Sequence, residues 1–188
     1  MLIRKPMIPI LAAALSLTAC GSKDTPKEAE GAEGAADAAT SATAELLDPE
    51  GKPVGTATLT ETPQGLSLML SVSGQTPGEH GIHVHATGDC TAPDFASAGG
   101  HWNPAATKHG LANPEGPHMG DLPNLSVAED GTGSMLVDMA GGKIASGDNA
   151  LLDADGAAFV IHAGKDDQAT DPSGDSGARV ACGVFSAG

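Results

Sequence analysis

Residues 66–73 alternate cleanly, with Leu66, Leu68, Leu70 and Val72 separated by Ser67, Met69, Ser71 and Ser73. A period of two sends the first set to one face and predicts a half-buried antiparallel strand. Upstream, a short strand over 44–47, the turn Asp48-Pro49-Glu50-Gly51 and a strand over 55–61 read as a hairpin. Gly74 and Pro77 end the alternating strand, and a second alternation follows at His80-Gly81-Ile82-His83-Val84-His85. Here Ile82 and Val84 face one way, so His83 and His85 stand side by side on the other surface. Further on, a strand near Ser126, the turn Asp130-Gly131-Thr132-Gly133 and a strand over 134–139 lead to another glycine-rich turn. In the strand over 157–162, Phe159 and Ile161 share one face while Ala158, Val160 and His162 share the other. A closing strand covers 179–185. The count is about eight, and beyond the N-terminus no long stretch repeats at helical spacing, so the chain is expected to be all-β, an eight-stranded antiparallel barrel or sandwich.

Two long stretches break the pattern, 90–125 and 163–177. The first holds Gly, Pro, Asn, Asp and His with no sustained period. Irregular segments seldom exceed about 12–15 residues in a compact domain unless something fixes them. Three fixings are available: Cys90 at its start, a run of histidines able to ligate metal, and Trp102 to fill space.

The ends add a different signal. Arg4 and Lys5 precede an apolar run over 7–17 that is too short to span a bilayer and is expected to be removed as a targeting segment. Leu17-Thr18-Ala19-Cys20 resembles the bacterial lipoprotein signal, which implies a signal peptide over 1–19 and a lipid on Cys20. Gly21 after the cysteine favours, in Gram-negative lipoproteins, the outer membrane facing the periplasm. The expected location is therefore the bacterial cell envelope, with the membrane reached through the lipid. Residues 20–43 bury too little apolar surface to order and read as a tether, leaving a domain over 44–188. Of three cysteines, removing Cys20 leaves Cys90 and Cys182, an even pair in an exported protein and expected to be bridged. Closing so long a loop stabilises by about 4–5 kcal/mol at most. A formal charge of −15 without a basic stripe disfavours attraction to a nucleic-acid backbone, and no nucleic acid is expected as a partner.

Taken in order, Gly81-Ile82-His83-Val84-His85, Gly88-Asp89-Cys90, Gly99-Gly100-His101-Trp102-Asn103-Pro104, Lys108-His109-Gly110, His118-Met119-Gly120-Asp121-Leu122, Val160-Ile161-His162-Ala163 and Gly177-Ala178-Arg179-Val180-Ala181-Cys182-Gly183-Val184 resemble the exported bacterial copper–zinc superoxide dismutases. The resemblance covers roughly 44–188. It implies a Greek-key β-barrel with both long loops outside and one copper and one zinc per subunit. Copper would be held by His83, His85, His101 and His162, and zinc by His101, His109, His118 and Asp121, with His101 bridging. Superoxide would be the substrate, oxygen and hydrogen peroxide the products, and His101 would carry a proton to the departing peroxide.

Imidazole suits both metals, whereas a thiolate would be oxidised beside a redox copper. Three histidines and an aspartate make a closed, structural zinc set, while the copper keeps an open side. The resemblance further makes Asp166 a carboxylate linking a copper-ligand histidine to a zinc-ligand histidine, Arg179 the cation beside the open copper position, and His80 a framework residue. The second loop is short and carries Asp166, Asp167, Asp171 and Asp175 against Lys165, which implies a weaker or displaced steering field. A non-catalytic metal-sequestering protein on the same fold is the alternative, since function belongs to the site. The filled copper set and Arg179 favour catalysis, and the pattern leaves monomer and homodimer equally open.

Overall fold

The computed structural model describes residues 40–188; the expected signal peptide, Cys20 and the expected tether up to residue 39 lie outside the described residues. Ten strands follow in order: β1 (Ser41–Leu47), β2 (Pro53–Thr62), β3 (Gly65–Val72), β4 (Gly78–His80), β5 (Ile82–His85), β6 (Leu125–Val127), β7 (Gly133–Ala140), β8 (Ala158–His162), β9 (Arg179–Val184) and β10 (Ser186–Ala187). The expected eight become ten because Gly81 divides one run into β4 and β5, and a two-residue β10 follows β9. The first strand starts at Ser41, ahead of the expected 44. Ser41 and Thr43 gave no apolar signal, yet Ala42 between them is fully buried, as is Ala44.

All strand pairs are antiparallel. One curled sheet runs β5-β8-β9-β1-β2-β3-β7, with β10 against β1, and β4 pairs with β6 in a separate ribbon. The chain from 78 to 85 therefore belongs to the ribbon at one end and to the main sheet at the other, which brings the sheet's two ends round into a Greek-key half-barrel. No side chain fits at the junction. A Cβ on Gly81 would lie 2.8 Å from the Ser176 Cβ, and Gly81 N–H donates to the Gly164 carbonyl at 2.8 Å.

The alternation of β3 is what fills the barrel. Leu66, Leu68, Leu70 and Val72 are all buried beside Leu46, Leu59, Ile82, Val84, Phe159 and Ile161. Each such side chain stabilises by about 1.5–3 kcal/mol through loss of apolar surface to water. The opposite face of β8 is also buried, but elsewhere: Ala158 and Val160 pack with Phe95, Ala98 and Cys182 in a second cluster under the first loop. A disulfide joins Cys90 to Cys182 across that cluster.

The loop over 90–125 holds one short 3₁₀ turn, Ala96–Ala98, and no strand. It is nevertheless fixed along β5 by backbone hydrogen bonds. Val84 N–H donates to Gly120, Trp102 N–H donates to Val84 and Gly120 N–H donates to Trp102, at 2.8–2.9 Å. Trp102 itself is buried in the main core.

Candidate metal centre

The imidazoles of His83 and His85 leave β5 on the face away from Ile82 and Val84. That face is not a solvent surface as the alternation alone suggests, because both loops cover it and all four residues of β5 are buried. His162 arrives from the end of the neighbouring β8, and His101 and Asp121 form bridge pairs with His85 and His83. His109 and His118 come from the same loop and are buried as well. All seven expected ligand residues are thus gathered on one side of the barrel.

His83, His85 and His162 each divide their two nitrogens between a support and the cluster. His83 Nε2–H donates to Asp166 Oδ2 at 2.6 Å, His85 Nδ1–H to the Gly99 carbonyl at 3.0 Å, and His162 Nδ1–H to the Gly177 carbonyl at 3.0 Å. Only five buried side-chain polar atoms among the described residues lack a hydrogen-bond partner. Four are His83 Nδ1, His85 Nε2, His101 Nε2 and His162 Nε2, and the fifth is Gln168 Oε1. Buried nitrogens without partners are expensive to leave, so four of them from one cluster describe a cation's donor set. The four residues can place ligand atoms within 4.8 Å of one another.

A second set adjoins the first. His101, His109 and His118 place Nδ1 at 2.8, 3.0 and 3.3 Å from Asp121 Oδ1, and His118 Nδ1 is 3.3 Å from His101 Nδ1. A carboxylate oxygen has two lone pairs and cannot accept three good hydrogen bonds. Ligands about 2.0–2.1 Å from a common centre in a tetrahedron stand roughly 3.3 Å apart, so these distances fit the edges of a zinc shell. His83 also lies within 4.8 Å of His101, His109 and Asp121, but its Nε2 is engaged by Asp166, and His118 is the residue whose nitrogen closes the second set. His101 belongs to both, with Nδ1 in one and Nε2 in the other.

Burial keeps His83, His85 and His162 neutral and their lone pairs free. It depresses His83 to about 3, against a partly restoring hydrogen bond to Asp166, and His85 to about 2; His162 falls to about 4 for the same reason. For Asp121, burial pushes the carboxyl up, yet His101 and the Gly110 N–H outweigh it and hold it well below the usual range. Asp166 behaves alike, brought to about 2 as His83, the Gln168 N–H and His109 overcome its burial.

Asp166 spans the two sets: while Oδ2 accepts from His83, Oδ1 accepts from His109 Nε2–H at 3.1 Å. Two residues that sequence reasoning missed secure it. Asn124 clamps its backbone, donating to the Asp166 carbonyl and accepting from its N–H, both at 2.8 Å. Gly174, at φ +63°, leaves room for its carboxylate, since a Cβ there would overlap Asp166 Oδ1. His80 is a framework residue with Nδ1 at 2.7 Å from the His162 carbonyl and Nε2 at 2.8 Å from that of Thr76.

A cavity of about 420 Å³ opens onto His85, His101 and His162, and Arg179 is the one lysine or arginine in its lining. The Arg179 guanidinium donates to the carbonyls of Phe95 and Gly99, each at 2.6 Å. Burial lowers its pKa, but an arginine remains a cation at any working pH. Lys165 and Lys108 are engaged elsewhere, with Glu79 at 2.6 Å and Asp171 at 3.2 Å.

Residues 53–185 match the family model described as copper/zinc superoxide dismutase. A "Superoxide dismutase [Cu-Zn]" of Caulobacter vibrioides is 50% identical over 149 residues, covering 76% of this chain and 84% of the relative. "Superoxide dismutase [Cu-Zn] 2" of Aquifex aeolicus is 44% identical over 144 residues, with the same coverage of 76% and 84%. Among solved structures, a double mutant of a SOD-like protein from Bacillus subtilis superposes with a TM-score of 0.73 at 43% identity, covering 76% of this chain and 95% of that one.

Proposed function

The chain belongs to the copper/zinc superoxide dismutase family and dismutes superoxide with copper and zinc as its cofactors, and on that premise we propose which residues carry the reaction and where in the cell it runs. His83, His85, His101 and His162 hold copper, and His101, His109, His118 and Asp121 hold zinc. The observation that carries this assignment is the set of four buried, partnerless imidazole nitrogens beside a carboxylate oxygen with three Nδ1 atoms around it.

The overall change is two superoxide anions and two protons to one oxygen and one hydrogen peroxide. Copper held by this set would supply the one-electron redox chemistry that the overall change requires. The chain's residues supply the rest. Arg179 draws the anion into the cavity and donates hydrogen bonds to it there. His101 carries one proton on Nε2 to the product while its Nδ1 stays committed to the zinc side. Asp166, Gly99 and Gly177 fix the tautomers of His83, His85 and His162, so that the nitrogen facing the cluster is the one with the free lone pair. Metal analysis of the purified protein with a superoxide-consumption assay tests the reading. Full copper and zinc without superoxide consumption would turn it into the metal-sequestering alternative.

The location follows from the N-terminus. Cys20 carries the lipid after removal of 1–19, and the tether lets the domain work in the cell envelope, on the outer membrane facing the periplasm. The short apolar run and the Leu17-Thr18-Ala19-Cys20 motif support this. Cys20→Ser should abolish lipid labelling in cells, and unchanged labelling would remove the anchor from the account.

A further inference from the structure

Every histidine proposed as a metal ligand gives its remaining ring nitrogen to an acceptor, with one exception. His83 and His109 use Asp166, His85 uses the Gly99 carbonyl, His162 uses the Gly177 carbonyl, and His101 turns both nitrogens to the metals. His118 Nε2 has no hydrogen-bond partner among the described residues. What faces it is a carboxylate: Asp171 Oδ1, 3.9 Å away.

Asp171 is already committed to this end of the zinc set. The same Oδ1 accepts the backbone N–H of His109 at 2.9 Å, and Oδ2 accepts from Lys108 Nζ at 3.2 Å. The second loop therefore reaches back to the first with two carboxylates. Asp166 supports the side of the zinc set nearest copper, and Asp171 stands on the outer side, touching the backbone of one zinc histidine and facing the ring of another. A histidine bound to metal through Nδ1 must carry its proton on Nε2, and with the ring largely buried the acceptors within reach of that proton are water and the Asp171 carboxylate. A small side-chain shift of the half-exposed Asp171 carboxylate, or one bridging water, closes 3.9 Å.

We propose that Asp171 is a positioning residue for zinc. It holds the outer edge of the zinc set by fixing His109 through its backbone and orienting His118 through Nε2–H. The pair with Lys108 is incidental to this role, since an exposed ion pair stabilises little. The inference rests on the assignment of His101, His109, His118 and Asp121 to zinc.

The test uses the full chain loaded with zinc and reduced copper. Transfer of zinc to a chromogenic chelator is timed, and the His118 Nε2–H resonance is followed by NMR. Asp171→Ala should release zinc about 10–100-fold faster, as loss of such outer partners generally does, and its Nε2–H signal should exchange away. Asp171→Asn keeps an acceptor oxygen without the charge and should fall between. Lys108→Gln removes the ion pair alone and should release zinc within about twofold of the parent. Should the alanine variant fail to fold, asparagine against Lys108→Gln decides the matter. Equal release from those two overturns the proposal, as does a folded alanine variant with parental release and a protected Nε2–H. A parent that takes up no zinc instead overturns the zinc assignment itself.

Discussion

Arg179 is the residue on which the rate should depend most without the metals being touched. The chain carries a formal charge of −15, so an approaching superoxide meets a repulsive field except where a local cation reverses it. Two carbonyls hold the Arg179 guanidinium at the cavity mouth, and Asp94 is the nearby carboxylate that partly offsets its charge. Arg179→Ala should keep copper, zinc and fold, and cut the second-order rate with superoxide by roughly tenfold or more. Arg179→Lys should fall between, with the charge but not the planar pair of donors. Added salt should slow the parent more than the alanine variant. Stopped-flow rates at several ionic strengths check all three, and a parental rate in the alanine variant would remove Arg179 from the mechanism. The residues gathered at the cluster were legible in the chain because metal sites restrict residue type and strands restrict facing. Asn124, Gly174 and the carbonyls of Gly99 and Gly177 were not. A backbone carbonyl has no residue type, and Asn124 meets its partner across 42 positions of chain.

At the scale of elements, the loop over 90–125 is ordered by what it binds and not by its own periodicity. Its backbone bonds to β5 leave from Trp102 and Gly120, the neighbours of His101 and Asp121. With zinc on the proposed residues, ordering of this segment and zinc binding should be coupled. Asp121→Ala removes both the oxygen that three imidazoles surround and the acceptor for the Gly110 and His118 N–H groups. It should lower thermal stability and speed hydrogen exchange through the loop while β1–β3 stay protected; equal loop protection in variant and parent would separate the loop's order from zinc. The strands were readable where one face is apolar throughout, as in β3. β4 and β5 were not separable in advance, because the break at Gly81 comes from the approach of Ser176, a contact no local pattern encodes.

The whole molecule keeps three largely buried imidazoles, His83, His85 and His162, uncharged, and that sets its acid limit. An unfolded histidine titrates near 6.5, while His162, His83 and His85 in the fold take a proton only near 4, 3 and 2. Below about pH 6.5 the unfolded chain therefore binds more protons than the folded one, and stability declines as pH falls. Asp166 and Asp121, with depressed folded values, act in the same direction once pH falls below the ordinary carboxylate range of about 3.8. The metal-free protein should lose melting temperature steadily from pH 7 to pH 4.5 in calorimetry. The loaded protein should resist until protons displace the metals from the same nitrogens. A flat profile for the metal-free form would mean that the cluster opens to water without its ions.

The sharing of Asp166 between His83 and His109 has a consequence for how one metal senses the other. On the proposed assignment His101 would be one conductor between the two centres, and the path His83–Asp166–His109 a second, wired in parallel with it. A parallel circuit survives one cut. Asp166→Ala should weaken, without erasing, the change that adding zinc makes in the copper electron-spin resonance spectrum, because His101 still carries the signal. If the alanine variant still holds both metals and its copper spectrum no longer responds to zinc at all, His101 is no conductor, and each metal is blind to its neighbour once the carboxylate is gone.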